Sequence, residues 1–489
     1  MNGLSKSRLL YHRHCPKRLW LHANRPHLTE HSAATDVRTM AGHEVGETAR
    51  RLHPKGVLID AASLSQALID TALALTGRRR PVFEATFQAG GVLVRADLLL
   101  PARGGYRLTE VKSTASVKDQ HLEDAAIQAW VARRAGLAIT KVEIAHIDTT
   151  FVYPGGEDYD GLFAHADVSA EANGRAKEIP KWIKAARQTL DGDEPEIEPG
   201  PQCKDPHECP YIAYCSPQQD DAYPPEILPR GGALVAQLRA EGYADLRKVP
   251  KKRLANPNHV RVWRVTKSGK AELDPAARAK LEALDYPRHY LDFETIVFAV
   301  PVWKGTRPYS QVPFQWSCHV EGRGGKIEQR SFLADGSKDP RRAFAKSLVD
   351  ALATRGPIIV YNATFEHCRM QELATAFPQL APALNAAIVR IVDLLPIARE
   401  HYYHPEMRGS WSLKAVLPTI APELAYDDLE VANGGMAQQA FAEILHPQTL
   451  PARRQQLREA LLTYCERDTW AMVTIARFFQ TGVRPNARR

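Results

Sequence analysis

The chain has 489 residues, 44% hydrophobic, 25% charged and 8% aromatic, which excludes a wholly disordered or collagen-like protein and gives room for about three domains. Sixty-four Lys and Arg against 56 Asp and Glu leave a net charge of +8, a mild excess that leans towards a polyanionic partner such as nucleic acid without requiring one. No apolar run approaches the roughly 18 residues of a membrane span, and the first twenty residues, interrupted throughout by Lys, Arg and His, lack the apolar core of a secretory signal, so the expectation is a cytoplasmic protein with no membrane partner.

A helical pattern opens the chain. Residues 81–101 then read as two strands around Gly90-Gly91, 106–114 as a third, 121–137 as an amphipathic helix and 140–151 as a further strand. Strands followed by helix and strand predict a mixed α/β domain over 1–215. Residues 216–232 are rich in Pro, Gly and Asp and read as a linker. With the short helical stretch that follows, they make a connecting region over 216–285. That stretch has the look of a helix–Gly–helix hairpin for nucleic acid, or of a plain helical connector. From 286 to 489, strands are expected at 289–300, 312–321, 327–334 and 356–364, with helices after them and a long amphipathic helix ending the run at 457–480. Three strands, then helix, strand and more helix predict a second α/β domain with one central sheet.

Two carboxylate clusters stand out. Asp97 ends an apolar strand, and Glu110 and Lys112, two apart on the next, share one face of it. If the strands are neighbours, Asp97 meets Glu110. Such a pair repels unless a hard cation such as Mg²⁺ or Mn²⁺ sits between them, with Lys112 placed to orient water. A solvated strand face explains Glu110 and Lys112 equally well. In the second cluster, Asp292 and Glu294 lie at i and i+2 of an apolar strand, Asn362 and Glu366 four apart on one helix, and Tyr464 and Asp468 four apart on another. Burying adjacent acids without a cation is costly, and a metal pair relieves it. Asp393 either lies near this site or only ends a strand.

The order Asp97, then Glu110-x-Lys112, followed by a helix carrying Gln128, resembles the PD-(D/E)XK nuclease superfamily. Cys203, Cys209 and Cys215 are evenly spaced with five residues between each pair, and Cys15 lies near the start, out of seven cysteines in all. This resembles the RecB-like iron-sulfur nucleases, CRISPR-associated and AddB-type enzymes included. The resemblance implies that these four cysteines hold a structural 4Fe-4S cluster. Zinc with His207, or unliganded core cysteines, are the competing readings. Gly46 stands where the family often has a metal-binding His. His43 is about one turn away on the same helix, and Glu84 resembles an acidic position on the first core strand.

The order D-x-E, N-x-x-x-E, Y-x-x-x-D resembles the DEDDy group of DnaQ-like exonucleases of the RNase H-like fold, with Glu366 where that group usually has Asp. That resemblance implies that Asp292, Glu294, Glu366 and Asp468 hold two metal ions and that Tyr464 positions the attacking water. Arg307, Tyr309, Gln311 and Gln315 could contact a strand of nucleic acid, and Trp303, Tyr309 and Trp316 could stack on bases or pack in the core. The joint expectation is a metal-dependent nuclease with two catalytic domains, a PD-(D/E)XK restriction-endonuclease-like one and an RNase H-like one. Its substrate would be DNA rather than RNA, single-stranded by preference. It would act in repair, recombination or defence, with a helicase or other repair and defence proteins as partners. The alternative is a nucleic-acid-binding module of a larger complex, with one or both sites inactive.

Overall fold

The computed structural model describes residues 3–30, 33–205, 207–216 and 223–484. The chain divides into two compact units, residues 1–219 with 298–310, and residues 220–297 with 311–489. Residues 223–285, read as part of a separate connecting region, therefore lie in the second unit, and 217–222 of that region lie outside the described residues. The fold is mixed α/β with several sheets, as the strand and helix patterns suggest. Among the described residues no helix is long and apolar enough to cross a membrane.

In the first unit, β1 (Leu4–Ser5), α1 (Lys6–His14), α2 (Pro16–Asn24) and α3 (Ala33–Arg51) precede β2 (Val57–Leu58) and α4 (Leu64–Ala74). The core follows as β3 (Val82–Ala89), β4 (Val92–Ala102), β5 (Gly105–Lys112), α5 (Asp119–Arg134), β6 (Ile139–Ile147) and β7 (Phe163–Asp167), then α6 (Ser169–Arg175), α7 (Ile179–Asp191) and α8 (Ile212–Cys215). The sheet runs β2-β3-β4-β5-β6-β7, with β1 pairing on β4. Strands β3, β4 and β5 form an antiparallel meander, turned at Gly90-Gly91, whose φ angles of +61° and +79° suit residues without a Cβ. β5 and β6 are parallel, because α5 carries the chain back across the sheet. Apolar side chains two apart on β4 and β5 share one face and pack on α5, with Leu99, Leu108, Ile127, Val131 and Ile144 fully buried.

In the second unit, α9 (Gly232–Ala240), α10 (Pro257–Ser268), β8 (Glu272–Leu273) and α11 (Ala276–Glu282) lead into β9 (Arg288–Ile296), β10 (Val312–Glu321) and β11 (Ile327–Leu333). Then come α12 (Arg341–Leu352), β12 (Ile358–Val360), α13 (Thr364–Ala376), α14 (Ala381–Ile388), β13 (Ile391–Asp393), α15 (Leu394–His401), β14 (Tyr402–Tyr403), α16 (Leu413–Val416), α17 (Gly434–Leu445) and α18 (Pro451–Thr481). The main sheet runs β11-β10-β9-β12-β13, and β9 at its centre is antiparallel to β10 and parallel to β12. One face of β9 sends Leu291 and Phe293 into a core with Trp316, Phe344, Leu348 and Met370. Alternation then turns Asp292 and Glu294 to the opposite face, where the thiol of Cys465 on α18 lies 3.7 Å from Asp292 Oδ2. Helix α18 keeps its register for 31 residues between Pro451 in its first turn and Gly482, at φ +70°, just past its end.

Of the residues considered for base stacking and strand contact, Trp303, Trp316, Tyr309 and Gln315 are engaged in packing. Trp303 and Trp316 are buried. Tyr309 donates its hydroxyl to the Ser113 carbonyl within the first unit at 2.6 Å. Gln315 is fully buried and donates to the Leu461 carbonyl at 2.7 Å. Arg307 and Gln311 are exposed.

Candidate functional site

The second unit brings three of its four expected acids together. Asp292 and Glu294 from β9 and Asp468 from α18 each place a carboxylate oxygen within 4.8 Å of the other two. They line a cleft of about 680 Å³ together with Asn362, Tyr464, Lys414, Arg230 and Arg399. Gly409, in the cleft wall, has φ +81°, and a Cβ there would sit 1.6 Å from the Ile227 carbonyl oxygen, so no larger residue fits.

The carboxylates are held against their ionisation. Burial and the neighbouring Asp468, Glu294 and Glu366 keep Asp292 well above the usual aspartate range. Burial, with Asp468 beside it, pushes Glu294 up to about 8, although Lys414 opposes this. Asp468 is also raised by burial, despite the hydrogen bond from Tyr426 and the nearby Lys414 charge. Glu366 stands back from the trio in the first turn of α13. It is buried, its Oε2 has no partner, and burial pushes it up to about 8. A buried carboxylate oxygen without a donor is a costly vacancy in hydrogen bonding that a cation or a metal-held water would satisfy. Four oxygen-bearing acids suit Mg²⁺ or Mn²⁺, so the donor set fits the expected group.

Asp393 belongs to the scaffold. Its carboxylate accepts from the N–H groups of Asn362, Ala363 and Leu395 at 2.9–3.0 Å, tying the end of β12 to the start of α15 and fixing the entry into α13. Asn362 adopts φ +78°, a left-handed conformation that Asn tolerates better than most residues.

Two residues of this site carried no recognisable sequence signal. Tyr426 donates to Asp468 Oδ1 at 2.5 Å. Lys414 donates to Tyr464 Oη at 3.1 Å and to the Ala432 carbonyl at 2.6 Å, with its ammonium 4.8 Å from the centres of both the Tyr426 and Tyr464 rings. Both fall in short or irregular segments where periodicity says nothing.

The raised carboxyls set a pH dependence. Protonation of Glu294 and Glu366, each about 8 in the folded chain against an ordinary 4.5, favours the folded state. Their contribution to stability is therefore fully present below pH 4.5 and lost as pH rises through 8. Melting temperatures in chelator should fall across that window, and Mn²⁺ should raise them more at about pH 8 than at about pH 5, where protons compete for the same oxygens. A flat profile with chelator, or equal shifts at both ends, would contradict this assignment.

The first unit arranges its acids differently. β4 and β5 are antiparallel neighbours, and Asp97 Oδ2 accepts from the Val111 N–H at 2.7 Å. Burial and then Glu110 raise Asp97 well above the usual range. Glu110 is met by Lys112 at 2.6 Å and Lys6 at 3.3 Å, and accepts from Gln128. Asp124, one helical turn before Gln128 on α5, takes Lys112 at 2.6 Å and Lys6 at 2.8 Å. Burial opposes the Lys112 charge, but Asp124 and Glu110 outweigh it and hold Lys112 above the ordinary lysine range. Lys6 and Asp124 were not legible from the motif. Lys6 lies 104 residues before Glu110, while Asp124 could have been found from its i, i+4 spacing to Gln128.

His43 is exposed, and Arg50 rather than a histidine approaches Glu84, at 3.4 Å. The first cluster is thus largely neutralised by the chain's own cations. Lys112→Met, which leaves Glu110 and Asp124 buried with less compensation, should cost the first unit about 3 kcal/mol in urea unfolding. A cost near zero would show that the lysine is not holding this cluster.

Cys15, at the junction of α1 and α2, lines one small cavity with Cys203, Cys209 and Cys215. The Cys209 N–H donates to the Cys203 carbonyl at 2.8 Å, closing the loop between them. Burial raises the thiols of Cys209 and Cys215. All seven cysteines are free. Among the described residues no three of these thiols converge within 4.8 Å, and His207 is exposed and outside the cavity.

A family profile described as a domain of unknown function (DUF2779) matches residues 289–412, which include Asp292, Glu294 and Glu366. An uncharacterized Mycoplasma pneumoniae protein, the MG366 homolog, is 28% identical over 215 residues, covering 39% of this chain and 32% of its own length. The uncharacterized protein MG366 of Mycoplasma genitalium is 25% identical over 218 residues, 40% of this chain and 32% of its own. The uncharacterized protein UU173 of Ureaplasma parvum is 25% identical over 236 residues, 44% and 34% respectively. The matched stretch thus spans about a third of the length of these relatives.

Proposed function

We propose that this chain is a metal-dependent nuclease whose second unit cleaves phosphodiester bonds as a DnaQ-like exonuclease of the RNase H-like type. DNA is favoured over RNA, in repair, recombination or defence. The observation that carries the reading is the convergence of Asp292, Glu294 and Asp468 in one cleft, where burial holds each towards the protonated form and Asp468 adds repulsion at Asp292 and Glu294. The plan of three strands, then helix and strand, around a central β9 supports it.

Asp292, Glu294 and Asp468 would hold Mg²⁺ or Mn²⁺, with Glu366 behind them. When bound, such an ion lowers the pKa of water and stabilises charge developing on a phosphate. Tyr426 orients Asp468 by a hydrogen bond, and Tyr464 lines the cleft beside it. The first unit is proposed as a RecB-like PD-(D/E)XK unit in which Cys15, Cys203, Cys209 and Cys215 hold a 4Fe-4S cluster. Its Asp97 and Glu110 would bind a metal ion, with Lys112 orienting water, only after Lys6 and Lys112 gave up Glu110. This favours nucleic-acid binding over cutting for that unit.

The test is a degradation assay on protein purified without oxygen. Single-stranded and duplex DNA and RNA, labelled at either end, would be offered with Mg²⁺ or Mn²⁺ to wild type, Asp292→Ala and Lys112→Ala. Loss of cleavage with Asp292→Ala alone supports the second unit as the cutting one. Two separate product ladders, each lost with one substitution, make both units catalytic. No cleavage by wild type on any substrate would sink the proposal.

A further inference from the structure

We infer that Lys414 is a positioning residue of the second site, fixing the direction in which the Tyr464 hydroxyl presents its proton. The inference rests on the nuclease reading of that site. Lys414 is in α16 and Tyr464 in α18, fifty residues later, so only the fold brings them together. An ammonium has three donors and no acceptor, so in the 3.1 Å contact Tyr464 Oη must accept. A phenol carries one proton. With Lys414 occupying an acceptor direction of Oη, that proton points away from Nζ, and Tyr464 lines the same cleft as Asp468.

The ammonium is itself held at three places, by the Ala432 carbonyl at 2.6 Å and by the faces of the Tyr426 and Tyr464 rings. Tyr426 in turn donates to the other side of the same arrangement, at Asp468 Oδ1. Lys414 and Tyr426, joined by the ammonium over the Tyr426 ring, therefore frame Asp468 and Tyr464. The frame sets a phenol that can accept from lysine and donate into the cleft. Removing the ammonium frees Oη to turn, and with it the group that would orient an attacking water.

Lys414 also faces Asp468, Glu294 and Asp292 as a positive charge in the same cleft, where it competes with any added cation. The two consequences have opposite signs, which makes them separable. Lys414→Met keeps the length of the side chain and removes the charge. It should slow cleavage at saturating substrate by about 10- to 100-fold, the usual effect of losing a group that orients a site residue. It should leave Mn²⁺ affinity, measured by calorimetry without substrate, equal to wild type or tighter. In a Tyr464→Phe background the same substitution should have no further effect on the rate, because the hydroxyl through which it acts is gone.

A wild-type rate in Lys414→Met would overturn the inference. So would a rate loss of equal size in the Tyr464→Phe background, or a fall in Mn²⁺ affinity parallel to the rate, which would make Lys414 a structural prop of the acids. If wild type itself shows no metal-dependent cleavage, the nuclease reading fails and takes this inference with it. An active wild type with uncoupled Lys414 and Tyr464 removes the inference alone.

Discussion

Asp292→Asn should abolish metal-dependent cleavage, by about a thousandfold or more, and at the same time raise the melting temperature of the metal-free protein. The two effects have one cause. Asp292 is at the meeting point of the cluster, where burial and three other carboxylates, Asp468, Glu294 and Glu366, all oppose its charge. Asparagine has the same shape and no charge. It relieves repulsion in the empty site and removes a ligand from the occupied one. For a unit of this size each kcal/mol of relief is about 2–4 °C in melting temperature. Differential scanning calorimetry in chelator, beside a cleavage assay, reads both. A variant that loses activity and also melts lower would mean that Asp292 is needed for folding, and the metal-site assignment would lose its main support.

Cys209→Ala is expected to have the largest effect on the first unit. Cys209 is buried and shares its cavity with Cys15, Cys203 and Cys215, which come from opposite ends of that unit's sequence. A cluster held there closes a loop of nearly two hundred residues, and its binding free energy is folding free energy. Loss of one ligand should therefore remove iron and acid-labile sulfide, about four of each per chain in the wild type. It should also lower the melting temperature of that unit by about 10 °C, as expected for a loss of several kcal/mol. Metal analysis and thermal unfolding under nitrogen would check it. Stoichiometric zinc in wild type, or an unchanged melting temperature in the variant, would contradict the cluster.

Much of this was legible because it depends on short-range periodicity. The i, i+2 pair Asp292 and Glu294 had to share a face of β9, and the i, i+4 pair Tyr464 and Asp468 had to share a face of α18, once strand and helix were recognised. Convergence of the two pairs with each other is a property of the sheet and of the helix packed on it. It was anticipated only through the order of motifs. Glu366 was legible as a member of the set but not its setback from the other three, which follows from its place in the first turn of α13.

Lys6, Lys414 and Tyr426 were illegible for a common reason. Each reaches its partner from a remote or irregular segment, and a single basic or aromatic residue there has no pattern to distinguish it. The same limit applies to the segment 298–310. It follows β9 directly in the sequence yet packs Ala299 and Val300 with Tyr153 and Tyr159 in the first unit. Nothing in its composition announces that excursion. The first cluster shows the reverse case. Its motif was readable, but the motif did not reveal that two lysines already satisfy its acids.

The most direct test of the central claim is a time course on a 5′-labelled single-stranded DNA with Mn²⁺, run for wild type and Asp292→Asn. The account predicts stepwise shortening from the 3′ end by wild type, abolished by chelator and absent in the variant. An intact strand with wild type at saturating Mn²⁺, or the same ladder from Asp292→Asn, would contradict it.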